Sequence, residues 1–146
     1  MEYPATQFNN TLITHLQTAL SDDLEAGQIR GRLDVSGDDP RGIIGIVCST
    51  VDSGSHSGTV GRQLIDLSTT ITIYTHLDED ADGTNFEGIV EKVITALETF
   101  SPSVTGWEIH YIQAPQSTPV SMLESVFRTQ DFNFVSYLEK TYIEEI

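Results

Sequence analysis

Three aspartates stand at alternate positions ahead of a glycine in Asp78-x-Asp80-x-Asp82-Gly83. That is the first half of a calcium loop, in which side-chain oxygens at alternate positions converge on the ion and glycine makes the sharp turn. The second half departs from the pattern. The position that should supply a bidentate glutamate is Ile89, and a strand pattern instead of a helix leads in. Glu87 or Glu91 could complete a ligand shell only in a different geometry. The same acids also have a purely structural use, since carboxylates ahead of a helix favour the positive end of its dipole. Calcium is the one cofactor these residue types suggest; the expectation is an acidic strand-to-helix turn and no cofactor.

Other chemistry finds less support. The four histidines, His15, His56, His76 and His110, lack the spacing of a zinc site. Ser55-His56 pairs a nucleophile with a base, but neighbours in a glycine-rich loop are poorly placed for a catalytic hydrogen bond. Gly42-Ile43-Ile44-Gly45 and Gly58-Thr59-Val60-Gly61 lack both the glycine pattern and the Lys-Ser/Thr of a phosphate loop. Cys48 lies in the apolar run 43–51 with no basic neighbour in sequence, which describes a small buried thiol and leaves no partner for a disulfide. Arg30, Arg32, Arg41, Arg62 and Arg128 are either solvated charges or anchors for acids across a subunit boundary. No residue set assembles an active site, so the reading is a protein that is not an enzyme.

Charge narrows the partners. Asp and Glu number 22 against 7 Lys and Arg, for a net charge of −15. Affinity for phosphates comes chiefly from clustered Lys and Arg, so direct nucleic-acid binding is not expected. The acid-rich, lysine-poor, threonine-rich composition resembles that of proteins from halophilic organisms, where molar salt screens self-repulsion, and equally fits an acidic mesophilic protein kept soluble by its charge. No apolar run reaches the roughly 20 residues needed to span a bilayer, and the first residues lack the pattern of a signal peptide. The expectation is a soluble protein made inside a cell, without membrane contact.

The elements that would position these residues follow from periodicity. At 146 residues the chain reads as one domain. Residues 64–76 alternate, with Ile65, Leu67, Thr69, Ile71, Ile73 and Thr75 on one face and Asp66, Ser68, Thr70, Thr72, Tyr74 and His76 on the other. Past the acidic turn the period becomes helical over 84–100, through Phe86, Ile89, Val90, Val93, Ile94, Leu97 and Phe100. Thr84 and Glu87 stand as a capping box at its start. An earlier helix is predicted over 6–26 on Phe8, Leu12, Leu16, Ala19 and Leu20, with Asn9, Gln17, Asp22 and Asp23 outward and Gly27 as its stop.

Residues 28–35 read as a strand, 36–42 as a turn and 43–51 as a strand in mid-sheet. The stretch Asp52, Ser53, Gly54, Ser55, His56, Ser57 and Gly58 reads as the tip of a hairpin spanning 43–75, whose second strand is long enough to project from the domain. Later, Trp107, Ile109 and Tyr111 alternate against Glu108 and His110, 114–119 is a loop, and 123–138 is two strand segments joined by a bulge or turn at 129–131. Together these give an α+β fold: a mixed, mainly antiparallel sheet with a projecting hairpin and two amphipathic helices packed on it.

This order of elements resembles the tail terminator (tail completion) proteins of long-tailed phages and related viruses. The likeness covers residues 6–138 and is carried by the opening helix, the 43–51 strand, the 64–76 strand leading into the 84–100 helix, and Phe127-Arg128-Thr129-Gln130-Asp131-Phe132-Asn133-Phe134 before a terminal strand. The resemblance implies a virion protein of the tail or neck, assembled in the host cytoplasm. It implies a homo-oligomeric ring, a hexamer, that caps the tail tube protein, ends tube polymerisation and joins the tail to the head-tail connector protein. DNA would pass through the ring without specific binding, and an acidic lumen would suit that passage. The hairpin residues from Asp52 to Gly58, with Arg62, would then contact a neighbouring subunit or the tube. Another connector or tube component, or a small calcium-binding module, is the alternative.

Overall fold

The computed structural model describes residues 3–24, 28–31, 44–52, 63–77, 82–123 and 127–140. Its organising strand is β3 (Leu64–His76), thirteen residues in which every second side chain is buried. The alternation is as expected for Ile65, Leu67, Thr69, Ile71, Ile73 and Thr75, all buried. β3 lies between β2 (Ile44–Asp52) and β7 (Phe127–Lys140), antiparallel to both. β1 (Ile29–Gly31) adds to β2 in parallel, and β4 (Trp107–Ile112) adds to the far side of β7, giving the order β1-β2-β3-β7-β4. Two short strands, β5 (Gln116–Ser117) and β6 (Ser121–Leu123), also pair with β7. Among the described residues this is a mixed, mostly antiparallel sheet of seven strands with two helices, an α+β fold.

Both helices serve one core. α1 (Pro4–Ala19) contributes Phe8, Leu12 and Leu16, and α2 (Thr84–Glu98) contributes Phe86, Ile89, Val93 and Ala96. These meet Ile46 and Cys48 of β2, the apolar face of β3, and Phe132, Phe134 and Leu138 of β7 in one cluster. Each fully buried Leu, Ile or Phe stabilises the fold by about 1.5–3 kcal/mol relative to exposure. Phe8 meets Phe100 edge-on with ring centroids 5.6 Å apart, which locks the start of α1 to the end of α2.

Several local readings need correction. α1 begins at Pro4, because proline at the first helical position has its φ preset and lacks an N–H that would be orphaned there anyway. The helix stops at Ala19, but the Leu24 N–H still bonds the Leu20 carbonyl, so Leu20 and Leu24 continue the buried stripe past its end. Gly27 lies outside the described residues. Asn9 and Gln17 do not face outward: the Asn9 amide donates to the Cys48 carbonyl at 3.1 Å, and that of Gln17 to the Ile29 carbonyl at 3.1 Å. Ile94 of the predicted stripe is exposed, and Ala96 takes a buried place instead.

The Thr84 and Glu87 capping box does not form. Gly83 is the N-cap, in the left-handed conformation at φ 78°, so Thr84 is already the first helical residue. Its free amide bonds the Asp82 carboxylate at 3.0 Å. The C-terminal region is also simpler than expected. β7 runs unbroken, pairing with β3 from Leu64↔Glu139 to His76↔Phe127, so there is no bulge or turn at 129–131. The irregularity is in β4, between Ile109 and Tyr111. Part of the predicted 114–119 loop is β5.

Tyr74 also departs from its predicted face. It sits on the polar side of β3 yet is only 5% exposed, because its ring lies across Gly45, its partner in the β2–β3 register. A Cβ at position 45 would stand 2.2 Å from the Tyr74 hydroxyl. Gly45→Ala should therefore lower the unfolding free energy by about 1–3 kcal/mol in urea titrations. Adding Tyr74→Ala should cost less than the two single changes summed, by about 1 kcal/mol. Strict additivity would show that the ring does not rest on Gly45.

Thr75 is wholly buried, and its hydroxyl has no hydrogen-bond partner among the described residues. Thr75→Val keeps the shape and removes an unsatisfied polar group, so the same titration should show a gain of about 1 kcal/mol. A loss would mean that the hydroxyl is satisfied within the fold.

Candidate assembly surfaces

The β2–β3 ladder leads directly to the predicted hairpin tip. Among the described residues its last pair is Asp52↔Leu67, with Val51 and Asp52 exposed. β3 is held beyond that point by β7, through Leu64↔Glu139, Ile65↔Leu138 and Asp66↔Tyr137, and the Lys140 N–H bonds the Gln63 carbonyl at 2.9 Å. The chain therefore enters 53–62 from a supported base. Of the predicted contact residues only Asp52 lies in the described part; Ser53, Gly54, Ser55, His56, Ser57, Gly58 and Arg62 lie outside it.

The second surface is the sheet face opposite the helices. Here Thr70 donates to the Asn133 side chain at 2.9 Å and Thr72 to the Asp131 carboxylate at 2.8 Å, cross-strand pairs that tie β3 to β7 on the solvent side. The β4 bulge decides what else stands on this face. Simple alternation puts Tyr111 beside Trp107 and Ile109, which do pack against the core. The register shift between Ile109 and Tyr111 turns Tyr111 to the open face instead, opposite Tyr137. The two rings stack with centroids 6.0 Å apart and planes 29° apart. Sequence periodicity carries no signal for such a bulge, so this pair is missed by it.

The acidic turn is the third. Asp78 and Asp80 lie outside the described residues. The Asp82 carboxyl is held below the usual carboxylate range, first by the Thr84 amide, then by the Thr84 hydroxyl and more weakly by the nearby Arg128 guanidinium. Asp82 thus has a structural task as the acceptor that starts α2. Arg128 reaches over the same turn: a Cβ on Gly83 would lie 2.9 Å from its Nη1. Arg128, Asp82, Glu87, Phe86, Val90 and Val120 help to line a cavity of about 320 Å³ between α2 and the β6–β7 side of the sheet. Among the described residues no group of three His, Cys, Asp or Glu is placed to hold a metal ion. No described helix is long and apolar enough to cross a membrane.

The remaining candidates occupy structural places. His15 donates to the Ala96 carbonyl at 2.7 Å, which also accepts the Thr99 amide at 3.2 Å where α2 ends. His110 lies 2.7 Å from the Glu139 carboxylate on the exposed side of the sheet. The Arg30 guanidinium donates to the Tyr74 hydroxyl at 3.3 Å, while Arg32 and Arg41 lie outside the described residues.

Cys48 is fully buried, and burial pushes its thiol up from an ordinary 9.0 to about 12. The folded state keeps the proton where the unfolded chain has lost it. The stability difference between wild type and Cys48→Ala should therefore be constant below pH 9 and shrink as pH rises towards 12, by up to about 1.4 kcal/mol per pH unit. A thiol reagent at pH 8 should label the native chain only on the timescale of unfolding and modify it fully in guanidinium. Rapid native labelling would place the thiol at the surface.

No protein-family model matches the chain, and no curated protein matches it.

Proposed function

We propose that the chain is a structural virion protein that works by docking and not by turnover. In this reading it forms a homo-oligomeric ring, a hexamer, that caps the tail tube, stops its growth and joins the tail to the head-side connector. The support is architectural: an opening helix, then the long β3 leading into α2, are the elements on which the resemblance rests, with both helices on one sheet face and the β2–β3 pair leading from a β7-supported base into 53–62. A heterologous contact, in which each subunit offers one patch to a different patch on the next, closes into a ring and leaves both rims free for other proteins. The net charge of −15 suits a lumen through which DNA passes without adhering, and it sets a need for screening when subunits meet.

The decisive residues in this reading are those of the hairpin. Deleting residues 53–57 should leave the far-ultraviolet spectrum and thermal midpoint near those of the intact chain. Ring formation, read by native mass spectrometry and negative-stain microscopy, should be lost. Unimpaired rings would reject the hairpin as the contact. The intact chain at high concentration should stop at a single ring; open filaments would mark a tube component instead.

A further inference from the structure

The open sheet face carries an apolar run that the core does not use. Tyr111 and Tyr137 are 58% and 38% exposed, and their stacked rings fix each other's position. Val135 lies two residues along β7 on the same face, and Val51, 55% exposed, stands across Ser68 in the same row. Single exposed apolar side chains need no explanation, but a run of them on one face marks a contact surface. Tyrosine is well suited to such a place, because it offers a large rigid area with little entropy to lose.

The charges around this run limit what can cover it. Asp66 is the register partner of Tyr137 on β3, Glu108 and Glu139 pair across β4 and β7 on the same face with His110 beside Glu139, and Asp131 lies farther along β7 on that face. A second copy laid face to face would set like charges against each other, which disfavours that arrangement. A partner with apolar side chains between lysines or arginines would satisfy both the tyrosines and their acidic border.

We propose that the face around Tyr111 and Tyr137 docks a second protein whose contact surface is an apolar centre flanked by basic side chains. This does not depend on ring formation, since the face lies away from the helices and is present in a single subunit.

The test uses the full chain, isotope-labelled for amide NMR, and a synthetic strand peptide alternating lysine with valine and tyrosine. A matched peptide with glutamate for lysine is the control. The lysine peptide should shift amides at 66–68, 109–112 and 135–137 in a saturable way, with affinity falling as sodium chloride rises. Tyr111→Ser with Tyr137→Ser should weaken it about tenfold or more, as expected for aromatic anchors. Asp66→Asn, which removes one charge and keeps the side chain's shape, should weaken it and flatten the salt dependence. Equal binding of the glutamate peptide, no saturable shift, or shifts confined to the helix side would overturn the proposal. So would a peptide-independent dimer, seen by sedimentation, that the tyrosine changes dissolve, because the occupant would then be a second copy.

Discussion

The antiparallel ladder between β3 and β7 is the constraint on which the other contacts rest. It runs in continuous register from Leu64↔Glu139 to His76↔Phe127. Because side chains alternate across a strand, a slip of β3 by one residue against β7 would exchange the buried and solvent faces of β3. Ile65, Ile71 and Ile73 would leave the core, and Asp66, Thr70 and Thr72 would enter it. The register therefore fixes which side of the sheet accepts helices. The Thr70–Asn133 and Thr72–Asp131 bonds on the far side work in the same direction, since each fits only the observed pairing.

On the helix side, orientation comes from a few polar contacts set into an apolar layer. If the Thr50 hydroxyl donates to the Asn9 carbonyl oxygen, its contact with Thr69 requires the Thr69 hydroxyl to be the donor. Asn9 in turn donates to the Cys48 carbonyl, so one chain of bonds crosses from β3 through β2 to α1. Gln17 on the Ile29 carbonyl and His15 on the Ala96 carbonyl fix α1 against β1 and α2. Apolar packing tolerates sliding more readily than these directional contacts do, and a partly buried donor left without its acceptor costs about 1–3 kcal/mol. The polar clamps thus give α1 a single axial position.

Much of this was legible in the sequence where burial follows period. The alternation of 64–76 and the stripe of Phe86, Ile89 and Val93 give a one-sided strand followed by a helix, and the α+β class follows from them. The misreadings share another cause: they concern residues whose position is set by a partner distant in sequence. Asn9 and Gln17 look like outward polar residues until the carbonyls of Cys48 and Ile29 are brought beside them. Tyr74 reads as a surface residue until Gly45 leaves room for its ring. Tyr111 changes face because the β4–β7 register shifts by a residue, which no local pattern announces. Thr84 failed as a cap because Gly83 adopted a positive φ and took that role one position earlier. The hairpin residues 53–58 and the acids Asp78 and Asp80 lie outside the described part, so their reading stands on sequence alone.

The outer border of the sheet bears on how such a molecule can associate. β7 is long, and a long uncovered strand would invite pairing with another chain. Its outer side is instead taken by β4, β5 and β6 in turn, with the Gln113 and Thr118 amides bonding the Val135 and Asp131 carbonyls between them. The resulting border is made of short strands, and the bulge in β4 breaks its regularity further. Strand addition needs a straight run of free amides and carbonyls, which this border does not offer. Association along that side must therefore use side chains, and those exposed there are mixed: Tyr111, Val120 and Met122 offer aromatic and apolar surface, and Glu108 is the one carboxylate of the border strands. A border of that kind favours partners that answer its exposed apolar side chains.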